Sequence, residues 1–153
     1  MDKIEFDELV YSSMNHLVIN QDNIAFFLQV LKETDNRDFW LILPLELCKT
    51  GDKRLVPILA ELLEDSRTVN YRGNFLTALA EYDYSEYIDL LVKLLNDNWE
   101  VRNKAADMLV RIQDNLSIEK KSNLKDKILN SLNSMDEKCS FLCDVCGELD
   151  IEV

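Results

Sequence analysis

The sequence predicts an all-α fold, a right-handed α-solenoid of about four antiparallel helix pairs with an N-terminal capping helix. Three observations support it: one unit of sequence occurs twice, its apolar residues follow a helical period, and the chain holds only 3 Gly and 2 Pro. So few turn-forming residues disfavour hairpins, and no stretch alternates apolar and polar residues over a strand length. With 153 residues, of which 47% are hydrophobic, the chain is long enough for a single domain with a substantial core.

The repeated unit spans residues 55–113. Residues 55–65 (LVPILAELLED) align with residues 86–97 (EYIDLLVKLLND), and a second apolar segment follows each copy. In these second segments, Arg72 and Arg102 are each followed by apolar residues at offsets +3, +4, +7 and +10, which lie on one face of a helix. Each unit is therefore a pair of amphipathic helices, and such a pair buries its apolar face only by stacking on neighbouring pairs.

The repeat resembles the HEAT family of helical repeats, particularly the short bacterial form that also occurs in proteins of the phycobilisome-lyase type. The resemblance implies a binding scaffold. The residues that carry it are Val56-Pro57 and residues 62–65 (LLED) on the first helix, with Val101-Arg102 and Ala105-Ala106 on the second.

The resemblance also implies a structural ladder between neighbouring units. Its members are Asp65 with Arg72, and Asp97 with Arg102. Arginine suits this role because its planar guanidinium can bond carboxylate and carbonyl oxygens together.

The pattern places the capping helix at residues 1–20 and helix pairs at residues 22–49, 52–82, 85–114 and 117–149. In the second pair, the connection between the helices is longer, and residues 66–70 are expected to project as a bulge. The first pair is a weaker repeat. When Val30-Leu31 is aligned with Leu94-Leu95, Asp38 takes the arginine position, Trp40 lies off the core, and the core residues are Leu41, Ile42, Leu45 and Cys48.

The net charge of −12, from 29 acidic and 17 basic residues, repels nucleic acid and anionic membranes and attracts basic proteins. The simpler explanation is that this charge only serves solubility. The N-terminus lacks the features of a secretory signal, and the longest apolar run, residues 39–43, is far shorter than the roughly 20 residues that span a bilayer. We therefore expect a cytoplasmic protein whose cysteines are reduced thiols.

No set of residues predicts catalysis, a metal or a cofactor. Cys139, Cys143 and Cys146 have the C-x3-C-x2-C spacing that holds an iron-sulfur cluster in radical enzymes using S-adenosylmethionine. Here a helical period continues through them and places them beside an apolar face, which favours a role in lining the core. The single histidine, His16, cannot form a triad or a zinc-protease site alone. The sequence thus favours a protein that is not an enzyme.

The second helices of stacked pairs generally line the concave surface that such arrays use for binding. Aromatic side chains beside acidic groups are good anchors for a basic protein. The predicted partner-binding residues are Trp40, Glu46, Asn74, Thr77, Glu81, Tyr84, Trp99, Asn103 and Asp107.

The function favoured by these features is that of a monomeric bacterial immunity protein, which covers the nucleic-acid-binding face of a basic toxin such as a nuclease. An acidic surface can mimic the nuclease's own ligand and accelerate association. The alternative is an adaptor or assembly factor that binds a client protein, like the HEAT-type subunits attached to bilin lyases. A third hypothesis is a DNA glycosylase built from HEAT-like repeats, but the negative charge disfavours DNA binding.

Overall fold

The computed structural model describes residues 18–132, and the regular structure of this part of the chain is entirely helical, as predicted. The right-handed sense of the stack stays a prediction. Most of the predicted capping helix, and the second helix of the predicted fourth pair, lie outside the described residues. The α-helices are α1 (Ile24–Glu33), α2 (Arg37–Cys48), α3 (Leu55–Glu64), α4 (Arg72–Leu79), α5 (Ile88–Leu94), α6 (Trp99–Ile112) and α7 (Ile118–Leu132).

The chain divides into two compact units, Met1–Ala78 and Leu79–Val153. In the first unit, the helices lie in two layers. The first helices of the two pairs, α1 and α3, pack together, and Lys32 forms a 2.8 Å salt bridge with Glu61. The second helices also lie side by side, because Asn74 Nδ2 of α4 donates a hydrogen bond of 3.4 Å to the Leu41 carbonyl of α2.

In the second unit, α5 and α6 form a helix pair, and α7 packs beside α5. Leu91 of α5, Leu109 of α6 and Ile128 of α7 are fully buried. On the surface, the Lys127 ammonium of α7 forms a salt bridge with the Asp89 carboxylate of α5. The first helices of the two pairs, α5 and α7, therefore pack side by side, as α1 and α3 do in the first unit.

The second helices α2 and α6 begin in the same way. The side chain of Asn36 accepts a hydrogen bond from the Asp38 backbone N–H, and that of Asn98 accepts one from the Val101 backbone N–H. Asparagine at this position satisfies one of the donors that the first helical turn leaves open. The two asparagines are thus equivalent N-caps, and the positions of each helix can be counted from them.

Counting from these caps corrects the predicted core of α2. The prediction was wrong by two residues: Trp40, and not Asp38, stands where Arg102 stands in α6. Leu41 and Ile42, which were expected in the core, are 45% and 39% exposed. The physical reason is the connection before the cap, which has two more residues between Leu31 and Asn36 than between Leu95 and Asn98. The residues of α2 that are buried are Phe39, Trp40, Leu43, Pro44 and Leu47.

Residues 66–70, expected to project as a bulge, belong instead to a 3₁₀ helix, Ser66–Tyr71, which leads directly into α4. Thr68 is fully buried in it. Its hydroxyl donates to the Leu62 carbonyl at the end of α3 and lies 3.0 Å from the Asp65 carbonyl. The Thr68 hydroxyl therefore holds the longer connection against the end of α3.

Arg67 joins the connections of the two helix pairs in the first unit. Its guanidinium bonds the Asp65 carboxylate, with Nη2 to Oδ2 at 2.6 Å, and its Nη1 donates to Asp35 in the connection between α1 and α2. The Arg67 backbone N–H donates to Asp65 Oδ1 at 2.8 Å. Arg67 was not predicted from the sequence, because only Arg72 aligns with the arginine of the other repeat.

The predicted ladder arginines contact main chain within their own pairs. Arg72 Nη2 lies 3.5 Å from the Asp65 carbonyl, and Arg102 Nη2 lies 3.4 Å from the Asp97 carbonyl. Both side chains are half-buried. The shared geometry indicates one structural role, which is to hold the connection against the start of the second helix. The expectation that they also bridge neighbouring pairs stays a prediction.

Replacing Thr68 with valine, which has nearly the same shape, is expected to lower the free energy of unfolding by about 1–2 kcal/mol. The reason is that the buried carbonyl of Leu62 loses its hydroxyl donor. Urea denaturation followed by circular dichroism measures the change. Val69→Ala, at the exposed neighbouring position, is the control and should change stability by less than about 0.5 kcal/mol. Equal effects of the two substitutions would contradict the anchoring role of Thr68.

Arg67→Gln is expected to raise the pKa of Asp65 toward its ordinary value. The hydrogen bonds from the Arg67 side chain and then from its backbone N–H lower that pKa, with a smaller contribution from the charge of Arg72. Asp52, whose pKa is lowered by the same bonds from Arg54, provides the control, because Arg54→Gln should affect Asp52 alone. NMR titration of the side-chain carboxyl carbons measures both.

The same interaction predicts how stability depends on pH. Because the pKa of Asp65 is lower in the folded chain, its contribution is complete above the ordinary Asp pKa of about 3.9. It is lost as the pH falls through the lower, folded value. The wild-type chain should therefore lose more stability on acidification below about pH 4 than the Arg67→Gln variant does. Parallel pH profiles of the two chains would contradict this prediction.

Candidate partner-binding surface

One side of α6 presents a line of three residues that the sequence predicted for partner binding, of which Trp99 and Asp107 are exposed and Asn103 is half-buried. Trp99, Asn103 and Asp107 are spaced by four residues, so they follow one another along one side of the helix. Trp99 is the first residue of α6, and 74% of its surface is exposed. Asp107 lies two helical turns further on, about 12 Å from Trp99 along the axis. We call Trp99, Asn103 and Asp107 the α6 line.

The charges beside the α6 line are balanced by ion pairs at helical spacing. Glu100 bonds Lys104 at 3.0 Å, and Asp107 bonds Arg111 at 2.6 Å. Exposed pairs of this kind stabilise a helix only weakly. Their effect here is that α6 contributes no excess negative charge of its own. Asp107, which was predicted as an acidic contact, is therefore paired with a basic residue of its own helix.

The turn before α5 is rich in acidic residues. Residues 81–89 contain four acidic residues and no basic residue. Glu81, Asp83 and Glu86 are exposed, and Asp89 forms a salt bridge with Lys127. The side chain of Asp83 accepts a hydrogen bond of 3.0 Å from the Ser85 backbone N–H, which fixes the turn.

Tyr84 holds this turn against α6 and is not a surface residue, contrary to the sequence-based expectation. It is only 8% exposed, and its hydroxyl donates a hydrogen bond of 3.1 Å to the Met108 carbonyl. Burial raises the pKa of Tyr84, the charge of Arg111 lowers it, and that of Asp107 raises it. The acidic turn therefore lies beside the part of α6 that contains Asp107.

Trp40 is also buried, and it is therefore unavailable to a partner. It is 3% exposed, its ring centre lies 5.3 Å from that of Tyr71, and the planes are tilted by 53°. Its indole nitrogen is buried and has no hydrogen-bond partner among residues 18–132. The expectation of an exposed Trp40 depended on the misaligned core of α2.

The remaining predicted residues of the first unit, Glu46, Asn74 and Thr77, do not form an acidic surface. Glu46 is paired with Lys49 at 2.5 Å. Asn74 bonds the Leu41 carbonyl, and the Thr77 hydroxyl donates to the Gly73 carbonyl at 2.9 Å. Leu41 supplies exposed apolar surface next to Asn74, a feature that the misaligned core concealed.

The acidic excess of the chain is concentrated at its ends. Residues 18–132 hold 19 of the 29 acidic residues and 15 of the 17 basic residues, so they account for only −4 of the net charge of −12. The rest belongs to residues 1–17 and 133–153, which lie outside the described part. The acidic turn at residues 81–89 therefore carries a large share of the excess in the part that the structure describes.

Within residues 18–132, no group of three or more His, Cys, Asp or Glu side chains is arranged to hold a metal ion. His16, Cys139, Cys143 and Cys146 lie outside this range. Every helix in the same range is too short or too polar to cross a bilayer.

The fold is that of an α-helical repeat protein. Family models match HEAT repeats at residues 24–110 and again at residues 56–126, and the starts of the two matches differ by the spacing that brings Leu62 onto Leu94. The chain belongs to the HEAT-repeat family. Neither the curated proteins nor the solved structures contain a match to it.

Tyr84→Phe is expected to lower the free energy of unfolding by about 1 kcal/mol. It removes the buried hydroxyl that bonds the Met108 carbonyl and keeps the ring in place. Tyr87→Phe is the control, since Tyr87 is half-buried in the same turn and its hydroxyl has no bond within residues 18–132. Urea denaturation of both variants measures the difference, and an unchanged midpoint for Tyr84→Phe would contradict the assignment.

Proposed function

We propose that the chain is a non-enzymatic protein-binding module whose partner contacts the α6 line and the acidic turn of the second unit. The observation that carries this proposal is the exposure of Trp99 on an ordered helix. Tryptophan is among the residues that contribute most to binding energy in protein interfaces, and burying an exposed indole removes a large apolar area from water. Membership of a family of helical repeat scaffolds supports the same function.

The chemistry of the surface favours a partner with one apolar pocket and one basic patch. The pocket would receive the indole of Trp99, and the patch would face Glu81 and Glu86 near the other end of the α6 line. The ion pairs on α6 leave the helix without excess negative charge. The acidic turn would steer association, while Trp99 would determine how slowly the complex dissociates.

The specific form that we propose is a cytoplasmic bacterial immunity protein, acting as a monomer, and the partner is a basic toxin such as a nuclease. A nuclease is basic where it meets phosphates, which matches the acidic turn. The alternative is an adaptor or assembly factor that binds a client protein without inhibiting it. The two differ in what happens to the partner, since only the immunity protein abolishes its activity.

A photo-crosslinking amino acid placed at position 99 is expected to capture the partner in cells. Position 118 provides the matched control, because Ile118 is also apolar and is 89% exposed, but lies on α7. A single small basic protein captured from position 99 alone, whose nuclease activity is lost in the complex, would support the immunity function. A captured client that keeps its activity would support the adaptor. Equal capture from both positions would contradict the proposed surface.

Once the partner has been identified, its affinity for the Trp99→Ala variant can be measured. We expect this substitution to weaken binding by about 30-fold or more, mainly through faster dissociation. Ile118→Ala should change affinity by less than about twofold. The double variant Glu81→Gln/Glu86→Gln should slow association and reduce its dependence on salt, with little effect on dissociation. Surface plasmon resonance at several salt concentrations separates these effects. An unchanged affinity of Trp99→Ala would overturn the proposed binding surface.

A further inference from the structure

Asn103 occupies the middle of the α6 line, between Trp99 and Asp107. Its side chain is half-buried, and its amide makes no hydrogen bond within residues 18–132. It is the fifth residue after its N-cap, and the fifth residue after the N-cap of α2 is Leu41, which is 45% exposed. The same position therefore accepts a side chain without any polar group, so the packing of the repeat does not require an amide. The Asn103 amide is available to bind a group outside the fold.

An asparagine amide offers a hydrogen-bond donor and an acceptor side by side. The backbone of an extended segment presents the complementary pair, because the N–H and C=O groups along its edge are unpaired. The backbone of a helix does not, since its N–H and C=O groups are bonded to each other within the helix. The amide of Asn103 thus matches an extended segment better than it matches a helix.

The spacing of the α6 line also matches the repeat of an extended chain. Successive members of the line are four residues apart, which is about 6 Å along the helix axis. In an extended chain, side chains that point to the same side are two residues apart, which is about 6.6 Å. A segment of about five residues can therefore follow the line, with alternate residues level with Trp99, Asn103 and Asp107.

We propose that the partner contacts the α6 line with an extended segment rather than with a helix. The Asn103 amide bonds the backbone of this segment, and side chains of the segment cover the exposed Trp99 indole. The acidic turn lies beside the Asp107 end of the line, because Tyr84 bonds the Met108 carbonyl. The segment is therefore apolar at the Trp99 end and carries Lys or Arg at the other. This inference rests on the proposed function and specifies which part of the partner the surface recognises.

Photo-crosslinking from two positions of the full-length chain tests the proposal. A crosslinking amino acid is placed at position 99 or at position 107, which are about 12 Å apart along α6. Mass spectrometry then identifies the captured residues of the partner. An extended segment gives capture sites about four residues apart, since it rises about 3.3 Å per residue. A helix gives sites about eight residues apart, since it rises about 1.5 Å per residue.

Only capture sites at the extended spacing support the proposal. Sites at the helical spacing, sites in separate parts of the partner's sequence, or capture from position 99 alone would overturn the extended segment and leave the proposed binding surface in place. Failure to capture any partner from position 99 would contradict the proposed function as well. The two failures are therefore distinguishable.

A synthetic peptide with the captured sequence tests the role of Asn103. Asn103→Ala is expected to weaken its binding about tenfold, because a hydrogen-bonded pair is lost. Asn123→Ala, the same substitution at an exposed position of α7, is the control and should change binding by less than about twofold.

Replacing the peptide's backbone amide opposite position 103 by an ester removes one N–H group. This change should weaken binding to the wild-type chain about tenfold, but binding to Asn103→Ala by less than about twofold. Isothermal titration calorimetry measures all four affinities. An unchanged affinity of Asn103→Ala, or an equal effect of the ester on both chains, would overturn the contact between Asn103 and the peptide backbone.

Discussion

The rotation of each second helix about its own axis decides which residues of this protein are buried and which can meet a partner. The N-cap is the position from which that rotation can be counted. Asn36 and Asn98 each bond a backbone N–H of the following turn and so fix where the helix starts. The third, seventh, eighth and eleventh residues after either cap are buried in both helices. Burial of this apolar face maintains the rotation of each helix, and the cap marks the residue from which the buried positions are counted.

Much of the fold could be predicted from the sequence because the buried apolar residues of each repeat recur at regular helical spacing. The buried faces of α4 and α6 follow from apolar residues at fixed offsets from Arg72 and Arg102, and Phe75, Leu76 and Leu109 are fully buried as expected. The face of α2 was misjudged because the alignment used the leucines of the preceding helix. The longer connection before Asn36 shifts the second helix relative to that alignment. Aligning Asn36 with Asn98 places the buried residues of α2 correctly.

The candidate binding surface was harder to predict because exposure and charge depend on neighbours that are distant in the repeat pattern. Tyr84 has the sequence context of a surface aromatic, with acidic residues on both sides. Its hydroxyl nevertheless donates a hydrogen bond to the carbonyl of Met108, 24 residues further along the chain. Arg67 was missed for a related reason, since its bond to Asp35 joins two connections that differ between the repeats. Contacts between irregular segments leave no periodic signal.

The two tryptophans occupy different positions relative to the N-caps, and only one of them is buried. Trp40 is the fourth residue after Asn36, a position that faces the neighbouring helix, and it packs against Tyr71. Trp99 is the first residue after Asn98, ahead of the buried face, and its indole is left in solvent. Leaving an indole exposed forgoes the stabilisation that burial in the core would provide. For this reason the proposed binding surface is centred on the position of Trp99 rather than on the total charge of the chain.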